Sequence, residues 1–485
     1  MAYTTINDPS IHFQATTYTG NGGAQTITNT GNSNLRPDWV WIKYRSSGDH
    51  VLVDSNRGAT KEIKSNSDGA ESTAANGVTG FVADGFTANG AGDYNGSGDY
   101  VAWQWAAGGA TPSQTYRVVV VSDGGNKYRF RNSANTATFA QSAVELALQQ
   151  GGTYTFDLSD SSVDGHPMKF STTSNGTHGG GTVYSTGVTY KLDGSTVTES
   201  AYVSGFNSAT TRQIILNVQN TTTLYYFCHY HSGMGGQADQ NATFGSTNFD
   251  GSLLTKVSAN TTAGFSIVTY TGNASAGATI GHGLGSTPAM VLVKARSISF
   301  DWYVYNENIG NGKYLELNTN NGEDTRSGAW NDTSPTSTVV TLGSDDGAND
   351  NAGMVAYCFS EVKGFSKIGT YKGNGDNQGP FVYTGFKPAI VIVKRYESGS
   401  SQWHTFDTAR NSNGNVVNRV LFPSTADAEA VYTVGGGDPQ IDINANGFCL
   451  RSNYNQVNAG SGEYVYMAFA KAPMVASNNV VGLAR

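Results

Sequence analysis

The chain has 485 residues, of which 61 are Gly and only 14 % are charged, and its net charge is −8 at pH 7. Abundant Tyr and Phe with few charges exclude a disordered chain, and an acidic chain without a Lys/Arg cluster is unsuited to electrostatic binding of nucleic acid. No apolar run reaches the ~20 residues that a membrane span needs. The length predicts roughly three to four domains, built of short strands joined by tight turns.

The chain begins with a short segment that carries no targeting signal. Met1–Thr5 has neither a basic stretch nor an apolar stretch, so we expect no secretory signal peptide and synthesis in the cytoplasm. We treat residues 1–12 as an N-terminal arm that precedes the first domain.

Four sequence landmarks then recur in the same order at three places. They are an aromatic-Thr-Tyr strand ending in Gly-Asn, a Pro followed by an apolar strand and Lys, an alternating strand ending in Asp or Asn, and a final aromatic strand. In the three copies they span Phe13–Asn21, Phe265–Asn273 and Phe365–Asn374; Pro37–Lys43, Pro288–Lys294 and Pro388–Lys394; His50–Asp54, Trp302–Asn306 and Trp403–Asp407; and Tyr100–Trp105, Met354–Phe359 and Tyr464–Phe469.

These copies predict an all-β, multidomain chain of antiparallel β-sandwich or jelly-roll-like domains. No sustained helical periodicity competes with this interpretation. Each copy is long enough to bury a core of its own. The predicted domains are β-sandwich repeats at 13–110, 262–362 and 363–475, a different β-domain at 114–250 and a C-terminal tail at 476–485.

The repeats also allow single residues to be interpreted. Cys358 falls where the other copies have Gln104 and Ala468, which indicates an ordinary strand residue. Cys449 likewise lies in a predicted strand, and three widely spaced cysteines do not form a disulfide framework. Asp54…Arg57 and Asp407…Arg410 could form a shared site, but the middle copy has Asn306 and Ile309 there, which favours a turn held by an Asx side chain.

The segment at 114–250 carries a set of metal donors. Cys228, His231 and Met234 follow one another as Cys-x2-His-x2-Met, and an upstream His166 supplies a fourth donor. Two His, one Cys and a weak axial Met are the donors of a blue-copper electron-transfer site. His229 is a spare donor within the same loop.

This segment resembles the cupredoxin family. The resemblance lies in Gly152–Phe156, in Gly165–Pro167 and in the loop Tyr225–Met234. It implies a cupredoxin-like sandwich with copper as cofactor and His166, Cys228, His231 and Met234 as ligands. A sandwich kept as a building block without its redox role stays the alternative, and His178 is predicted to lie in a loop and not to be a ligand.

The repeats themselves resemble a domain of tail-associated and other structural proteins of marine and cyanobacterial phages. The resemblance is carried by Pro37–Lys43, Thr269–Asn273 and Tyr464–Ala470, and it extends to the cupredoxin-like module. It implies a virion structural protein made in the host cytoplasm, with other virion proteins and a host-surface glycan or receptor as partners. It also implies a homo-oligomer, with a trimer favoured.

Three functions follow as competing hypotheses. The first is a tail-associated appendage that adheres to host glycans, with capsid decoration as its alternative, and Trp39, Trp41, Trp103 and Trp105 are partial candidates for exposed sugar-stacking rings. The second is a copper electron-transfer protein. A glycan-degrading enzyme is the third, but no carboxylate pair recurs between the copies and no catalytic motif is found, so we expect no enzyme activity and name no catalytic residue.

Overall fold

The computed structural model describes residues 4–90, 92–108, 112–411, 414–435 and 437–475. The fold is all-β as predicted, with 43 % strand and 7 % helix. No helix in the described ranges is long and apolar enough to cross a membrane. The chain divides into two compact units, the repeat unit (Met1–Ala107, Ala259–Gly277 and Leu284–Arg485) and the inserted unit (Gly108–Ser258 and Ala278–Gly283). The predicted tail at 476–485 lies outside the described residues.

Strands and short helices alternate along the chain with the following bounds. Repeat 1 has β1 Phe13–Gly20, β2 Gln25–Ile27, β3 Trp39–Tyr44, β4 His50–Asp54, β5 Lys61–Lys64, β6 Ser72–Thr73, β7 Val78–Val82, β8 Gly85–Ala88 and β9 Gly98–Trp105. The next segment has β10 Ser113–Ser122, β11 Asn126–Phe130, β12 Leu146–Gln149, β13 Thr153–Asp157, β14 Met168–Ser171, β15 Val188–Leu192, β16 Ser195–Val197, α1 Glu199–Gly205, β17 Arg212–Asn217, β18 Thr223–Cys228, β19 Gln237–Asn241, β20 Ser246–Asn248 and β21 Thr255–Asn260.

The two later repeats continue this numbering. Repeat 2 follows with β22 Phe265–Thr271, β23 Ala278–Gly281, β24 Met290–Ala295, β25 Tyr303–Asn306, β26 Lys313–Glu316, β27 Asp324–Thr325, α2 Ser327–Trp330, β28 Val339–Leu342, α3 Asp346–Asn349 and β29 Gly353–Phe359. Repeat 3 has β30 Ser366–Lys372, β31 Phe381–Tyr383, β32 Phe386–Arg395, β33 His404–Asp407, β34 Arg419–Val420, β35 Ala430–Val431, β36 Ile441–Asn444, β37 Gly447–Leu450, α4 Asn455–Asn458 and β38 Glu463–Pro473.

The main sheets of the three repeats share one antiparallel strand order. It is β1-β9-β3-β4 in repeat 1, β22-β29-β24-β25 in repeat 2 and β30-β38-β32-β33 in repeat 3. The four sequence landmarks are therefore the four strands of one sheet. The pairing of the first and last strands agrees with the sequence alignment of repeats 1 and 2, where Phe13 pairs with Trp105 and Phe265 with Phe359. Repeat 3 is shifted by one residue, because Ser366, and not Phe365, pairs with Phe469.

The main sheet is buried on both faces, whereas the sequence predicts a separate core for each repeat. In repeat 1, one face packs with Ile27 and Phe86 of the small sheet β2-β8-β7, as in a sandwich. The other face packs in a large cluster that contains residues from all three repeats, such as Trp105, Phe359 and Phe469. The repeats thus share a central core in addition to any core of their own.

Burial in the shared core corrects one prediction about sugar binding. Trp39 and Trp103 are 0 % exposed, and Trp41 and Trp105 are 1 % exposed. Alternation predicts that about half of such side chains reach the surface, but here the second face of the sheet meets the other repeats. The four tryptophans are therefore core residues and cannot stack on a glycan. Ile6 and Pro9 of the N-terminal arm are buried too.

Contacts between the repeats recur in a cyclic order. Trp302 of repeat 2 donates its indole N–H to the Lys64 carbonyl of repeat 1 at 2.9 Å, and Trp403 of repeat 3 donates to the Glu316 carbonyl of repeat 2 at 2.9 Å. The equivalent residue of repeat 1 is His50; burial holds the pKa of His50 well below its usual value, and a backbone hydrogen bond with Phe422 of repeat 3 opposes this shift only in part.

A backbone hydrogen bond follows the same cycle. Glu71 N–H donates to the Arg296 carbonyl, Glu323 N–H to the Tyr396 carbonyl and Glu429 N–H to the Arg45 carbonyl, each at 2.7 Å. Repeat 2 therefore contacts repeat 1, repeat 3 contacts repeat 2, and repeat 1 contacts repeat 3. This is the contact pattern of a cyclic trimer, here made within one chain.

The predicted Asx turns are confirmed at the ends of β4 and β33. The Asp54 carboxylate accepts from the Arg57 backbone N–H at 2.8 Å, and the Asp407 carboxylate accepts from the Arg410 backbone N–H at 2.9 Å. Each aspartate also forms an ion pair with the arginine side chain, and all four side chains are 0 % exposed.

The inserted unit is a two-sheet sandwich with its own core. Its sheets have the orders β11-β10-β13-β17-β15-β16 and β12-β19-β18-β14. The sheets are not purely antiparallel, because β10 pairs parallel to β13 and β12 pairs parallel to β19. Aromatic side chains such as Tyr116, Phe156 and Tyr226 fill the space between them.

Candidate metal centre

Two adjacent strands bring the ends of two loops together in the inserted unit. β14 and β18 run antiparallel, and Met168 pairs with Cys228, the last residue of β18. His166 precedes β14 by two residues, so the register places His166 and Cys228 at the same end of the sheet. The backbone N–H of His229 donates to the Pro167 carbonyl at 2.8 Å and extends this connection past the strand end.

The loop after Cys228 turns back into β19 because glycine occupies its tightest positions. A Cβ atom on Gly235 would lie 1.7 Å from the Tyr226 carbonyl oxygen, and one on Gly236 would lie 2.2 Å from the Ala143 carbonyl oxygen. The Met234 carbonyl accepts from the Tyr128 N–H at 3.0 Å. Met234 is thereby turned inward, is 1 % exposed and packs in the same core cluster as Cys228.

Three predicted ligands meet at one point, which we call the donor cluster: His166, Cys228 and His231. Cys228 Sγ lies 3.8 Å from His166 Nδ1 and 3.6 Å from His231 Nδ1. One ligand atom from each residue lies within 4.8 Å of the others. Metal–sulfur and metal–nitrogen bonds of about 2.3 and 2.0 Å would hold a sulfur and a nitrogen about 3.5–3.8 Å apart, and the two sulfur–nitrogen distances of the cluster match this range.

The donors differ in their exposure and in their electrostatic surroundings. Cys228 is 0 % exposed and His166 is 8 % exposed, whereas His231 is exposed. Burial and the neighbouring His231 ring lower the pKa of His166. The neutral imidazole, which is the form that binds a metal, is therefore favoured.

Side chains outside the predicted ligand set hold the donors in place. Asn126 Nδ2 lies 3.2 Å from His166 Nε2, the ring nitrogen turned away from the cluster. The Tyr128 hydroxyl donates to the His166 carbonyl at 2.7 Å. Asn175 Oδ1 accepts from the Gly233 N–H at 2.8 Å in the ligand loop. The sequence reasoning missed these residues, since they come from separate loops and strands with no local motif.

His178 and His229 are the two other histidines near the centre, and neither belongs to the donor cluster. His178 lies in a short 3-10 helix, Gly176–Gly179, and not in a loop, with Nε2 at 3.0 Å from the Cys228 carbonyl oxygen. That it is not a ligand stays a prediction. His229 Nδ1 instead lies 3.1 Å from Lys169 Nζ, which pairs with Glu199 at 2.5 Å. Strand alternation points Cys228 and His229 in opposite directions, which removes the spare donor from the site.

The remaining cysteines are strand residues, as predicted. Cys358 in β29 is 0 % exposed, and burial raises its pKa to about 12. Cys449 lies in β37, and its thiol contacts the Gly379 carbonyl at 3.5 Å. None of the three cysteines forms a disulfide. Of the three, Cys228 is the one whose sulfur lies next to two imidazole rings.

Comparison with known proteins gives a family but no described function. No curated protein and no solved structure matches the chain. The sequence profile of one family, a domain of unknown function (DUF7483), matches residues 8–126 and 237–473, which is more than half of the chain. The stretch between these matches contains the whole donor set, including Met234. The match covers all three repeats, and the chain belongs to the DUF7483 family.

Proposed function

We propose that the inserted unit binds one copper ion at His166, Cys228 and His231, with Met234 as a weak axial ligand. The convergence of the Cys228 sulfur and two imidazole Nδ1 atoms is the observation that supports this proposal. A structural zinc site would use four Cys or His donors, whereas this cluster brings together three, and a thioether such as that of Met234 as a further weak ligand would suit copper. A copper ion bound there would supply one-electron transfer between its Cu(I) and Cu(II) states.

The residues of the chain divide the tasks of such a centre. The core around Cys228 and Met234 would exclude water from one side of a bound ion, and the exposed His231 would be the ligand that an electron-transfer partner could approach. The glycines of the loop fix its path, and Asn126 orients His166. No substrate-binding residue is assigned by this proposal.

The test is copper addition to the purified, metal-free full chain. We expect an intense visible charge-transfer band at one copper per chain, lost in Cys228→Ser and altered in Met234→Leu. Cys449→Ser serves as the matched cysteine control and keeps the band. A folded chain that takes up no copper, or that binds it without the thiolate band, would contradict the proposal.

We further propose that the chain is a structural protein of a bacteriophage virion and acts in host-surface adhesion. The resemblance of its repeats to phage structural domains supports this role, and so does the shared core, since three interlocked repeats suit a rigid scaffold. A tail appendage is the preferred location and capsid decoration the alternative. Other virion proteins and a host glycan or receptor would be its partners, and association into a homotrimer stays a prediction.

Antibody labelling of intact virions in electron microscopy tests this second proposal. Label at the tail would support host attachment, whereas label over the capsid would support decoration. Absence of the chain from purified virions, checked by mass spectrometry, would reject the virion role and leave the copper proposal untouched.

A further inference from the structure

The cyclic arrangement creates an equivalent junction between each pair of repeats. At each junction, the residue two positions after the Asp or Asn that ends the third landmark strand lies next to the first strand of the neighbouring repeat. These residues are Asn56, Asn308 and Ala409. At the junction of repeats 1 and 2, Asn56 Nδ2 donates to the Ile267 carbonyl at 3.0 Å. Asn56 is 3 % exposed, so this junction is closed.

The equivalent position at the junction of repeats 2 and 3 leaves a groove. Asn308 turns back, because its Nδ2 donates to Asn306 Oδ1 at 3.1 Å within its own repeat. A groove of about 360 Å³ lies beside it, with Thr370 and Tyr371 of β30 on its wall. We call this the 2–3 groove. A comparable cavity of about 290 Å³ lies at the junction of repeats 3 and 1, beside Ala409.

Only the 2–3 groove of these two cavities is bordered by exposed aromatic rings. Phe381 is 50 % exposed and Tyr383 is 53 % exposed, while Val382 between them is 6 % exposed. The two rings thus project from one face of β31, at positions about 6.6 Å apart along the strand. Val382 pairs with Phe448 in repeat 3, and Ile27 pairs with the corresponding Phe86 in repeat 1. The positions of repeat 1 that are equivalent to Phe381 and Tyr383 are therefore Thr26 and Thr28.

The groove combines these rings with polar side chains. Lys367, which pairs with Glu361 at 2.7 Å, and Thr370 line it together with Asn308. Ring faces with a negative quadrupole suit the C–H faces of a sugar, and the hydroxyl, amide and ammonium groups suit its hydroxyls. The lysine charge is already balanced by Glu361, and the chain carries a net charge of −8, so an uncharged ligand fits better than an anionic one.

We propose that the 2–3 groove binds a neutral oligosaccharide, with Phe381 and Tyr383 stacking on sugar rings. This inference deepens the proposed adhesion role and is independent of the copper centre. It relocates sugar recognition from the buried tryptophans to an exposed strand of repeat 3.

The test is isothermal titration of the full chain with neutral hexasaccharides, namely cellohexaose, maltohexaose, xylohexaose and mannohexaose, and with hexagalacturonate as the anionic probe. We expect saturable binding of at least one neutral hexasaccharide and weaker binding of the anionic one. The double variant Phe381→Ala/Tyr383→Ala should lose about tenfold or more in affinity, since it removes both rings that stack on the sugar. The matched control, Thr26→Ala/Thr28→Ala, should bind like the unchanged chain.

Several outcomes would overturn the inference. One is the absence of binding to all neutral probes, and another is equal binding by the aromatic double variant. A third is sedimentation showing that the unchanged chain self-associates through Phe381 and Tyr383, since the rings would then form a contact between copies. Cell-binding assays separate the two proposals: a double variant that still adheres to host cells rejects the groove alone, whereas an unchanged chain that does not adhere rejects the adhesion role.

Discussion

The indole N–H of Trp103 in repeat 1 donates a hydrogen bond to Asp407 Oδ2 of repeat 3 at 3.1 Å. The equivalent pair at the next junction is Tyr357 of repeat 2, whose hydroxyl donates to Asp54 Oδ2 of repeat 1 at 2.7 Å. In both places the aspartate also binds its own arginine, so the polar network links two repeats. At the third junction the equivalent residues include Met467, which belongs to the shared core cluster, and Ile309, which packs against that cluster.

We therefore expect Asp407→Ala to destabilise the repeat unit strongly. The substitution leaves the buried Arg410 guanidinium without its main anionic partner and the Trp103 N–H without an acceptor. Loss of one member of a buried ion pair costs about 3–5 kcal/mol, which chemical unfolding of the full chain would measure. Asp376→Ala in an exposed loop is the control, and equal effects of the two changes would contradict this account of the junction.

A second prediction concerns three buried lysines at equivalent positions, Lys43, Lys294 and Lys394. Each is 0 % exposed, and their amino groups donate hydrogen bonds to main-chain carbonyls, such as that of Ser401 for Lys394. Burial lowers the pKa of Lys43 and Lys294 to about 8 and that of Lys394 to about 7. In the unfolded chain the lysine pKa values are near 10.5. At a pH between the folded-state pKa and 10.5, the unfolded chain therefore binds more protons than the folded chain.

The sign of the pH effect follows from this difference in bound protons. The free energy of unfolding contributed by these lysines increases as the pH rises from about 7 to about 9, and it is lost as the pH falls through the folded-state pKa. Lys394 alone should contribute on the order of 1–2 kcal/mol over this interval. Urea unfolding at both pH values measures it. Lys394→Met should remove part of the increase, while the exposed Lys372→Met should not.

The prediction from sequence succeeded where the information was local. The strand landmarks identified all four strands of each main sheet, and the Cys-x2-His-x2-Met spacing identified a loop whose Cys228 and His231 lie together with His166, because both depend on neighbouring residues. The shared core was missed although near-continuous apolar strands, such as Met290–Ala295, indicate burial on both faces. Asn126 and Tyr128 could not be found from sequence, since only the fold brings β11 next to His166.

The ligand loop gives a third prediction. Gly235→Ala should weaken copper binding and lower the stability of the inserted unit by about 1–3 kcal/mol, because the added Cβ would overlap the Tyr226 carbonyl oxygen at 1.7 Å. Gly165→Asn is the matched control, since it adjoins His166, has a φ of +79° that Asn tolerates, and has no atom within 4 Å of the added Cβ. Copper titration and thermal unfolding of both variants measure the difference. Intact copper affinity in Gly235→Ala would show that the loop path is not fixed by this glycine.

Asn126 provides the last prediction, since it contacts His166 and is not a ligand. Metal binding through His166 Nδ1 places the ring proton on Nε2, and the Asn126 amide would then present its oxygen to accept that proton at the 3.2 Å separation observed. Partners of this kind fix the tautomer and the ring orientation, and their loss costs about 10–100-fold in metal affinity. Asn126→Ala should therefore bind copper correspondingly more weakly in a competition titration with a chelator, while its charge-transfer band persists because Cys228 remains a ligand. Asn220→Ala, which removes a contact to the Tyr184 hydroxyl in the same unit, should leave the affinity unchanged. If both variants bind copper as the unchanged chain does, the orientation of His166 is set by Tyr128 and the backbone alone.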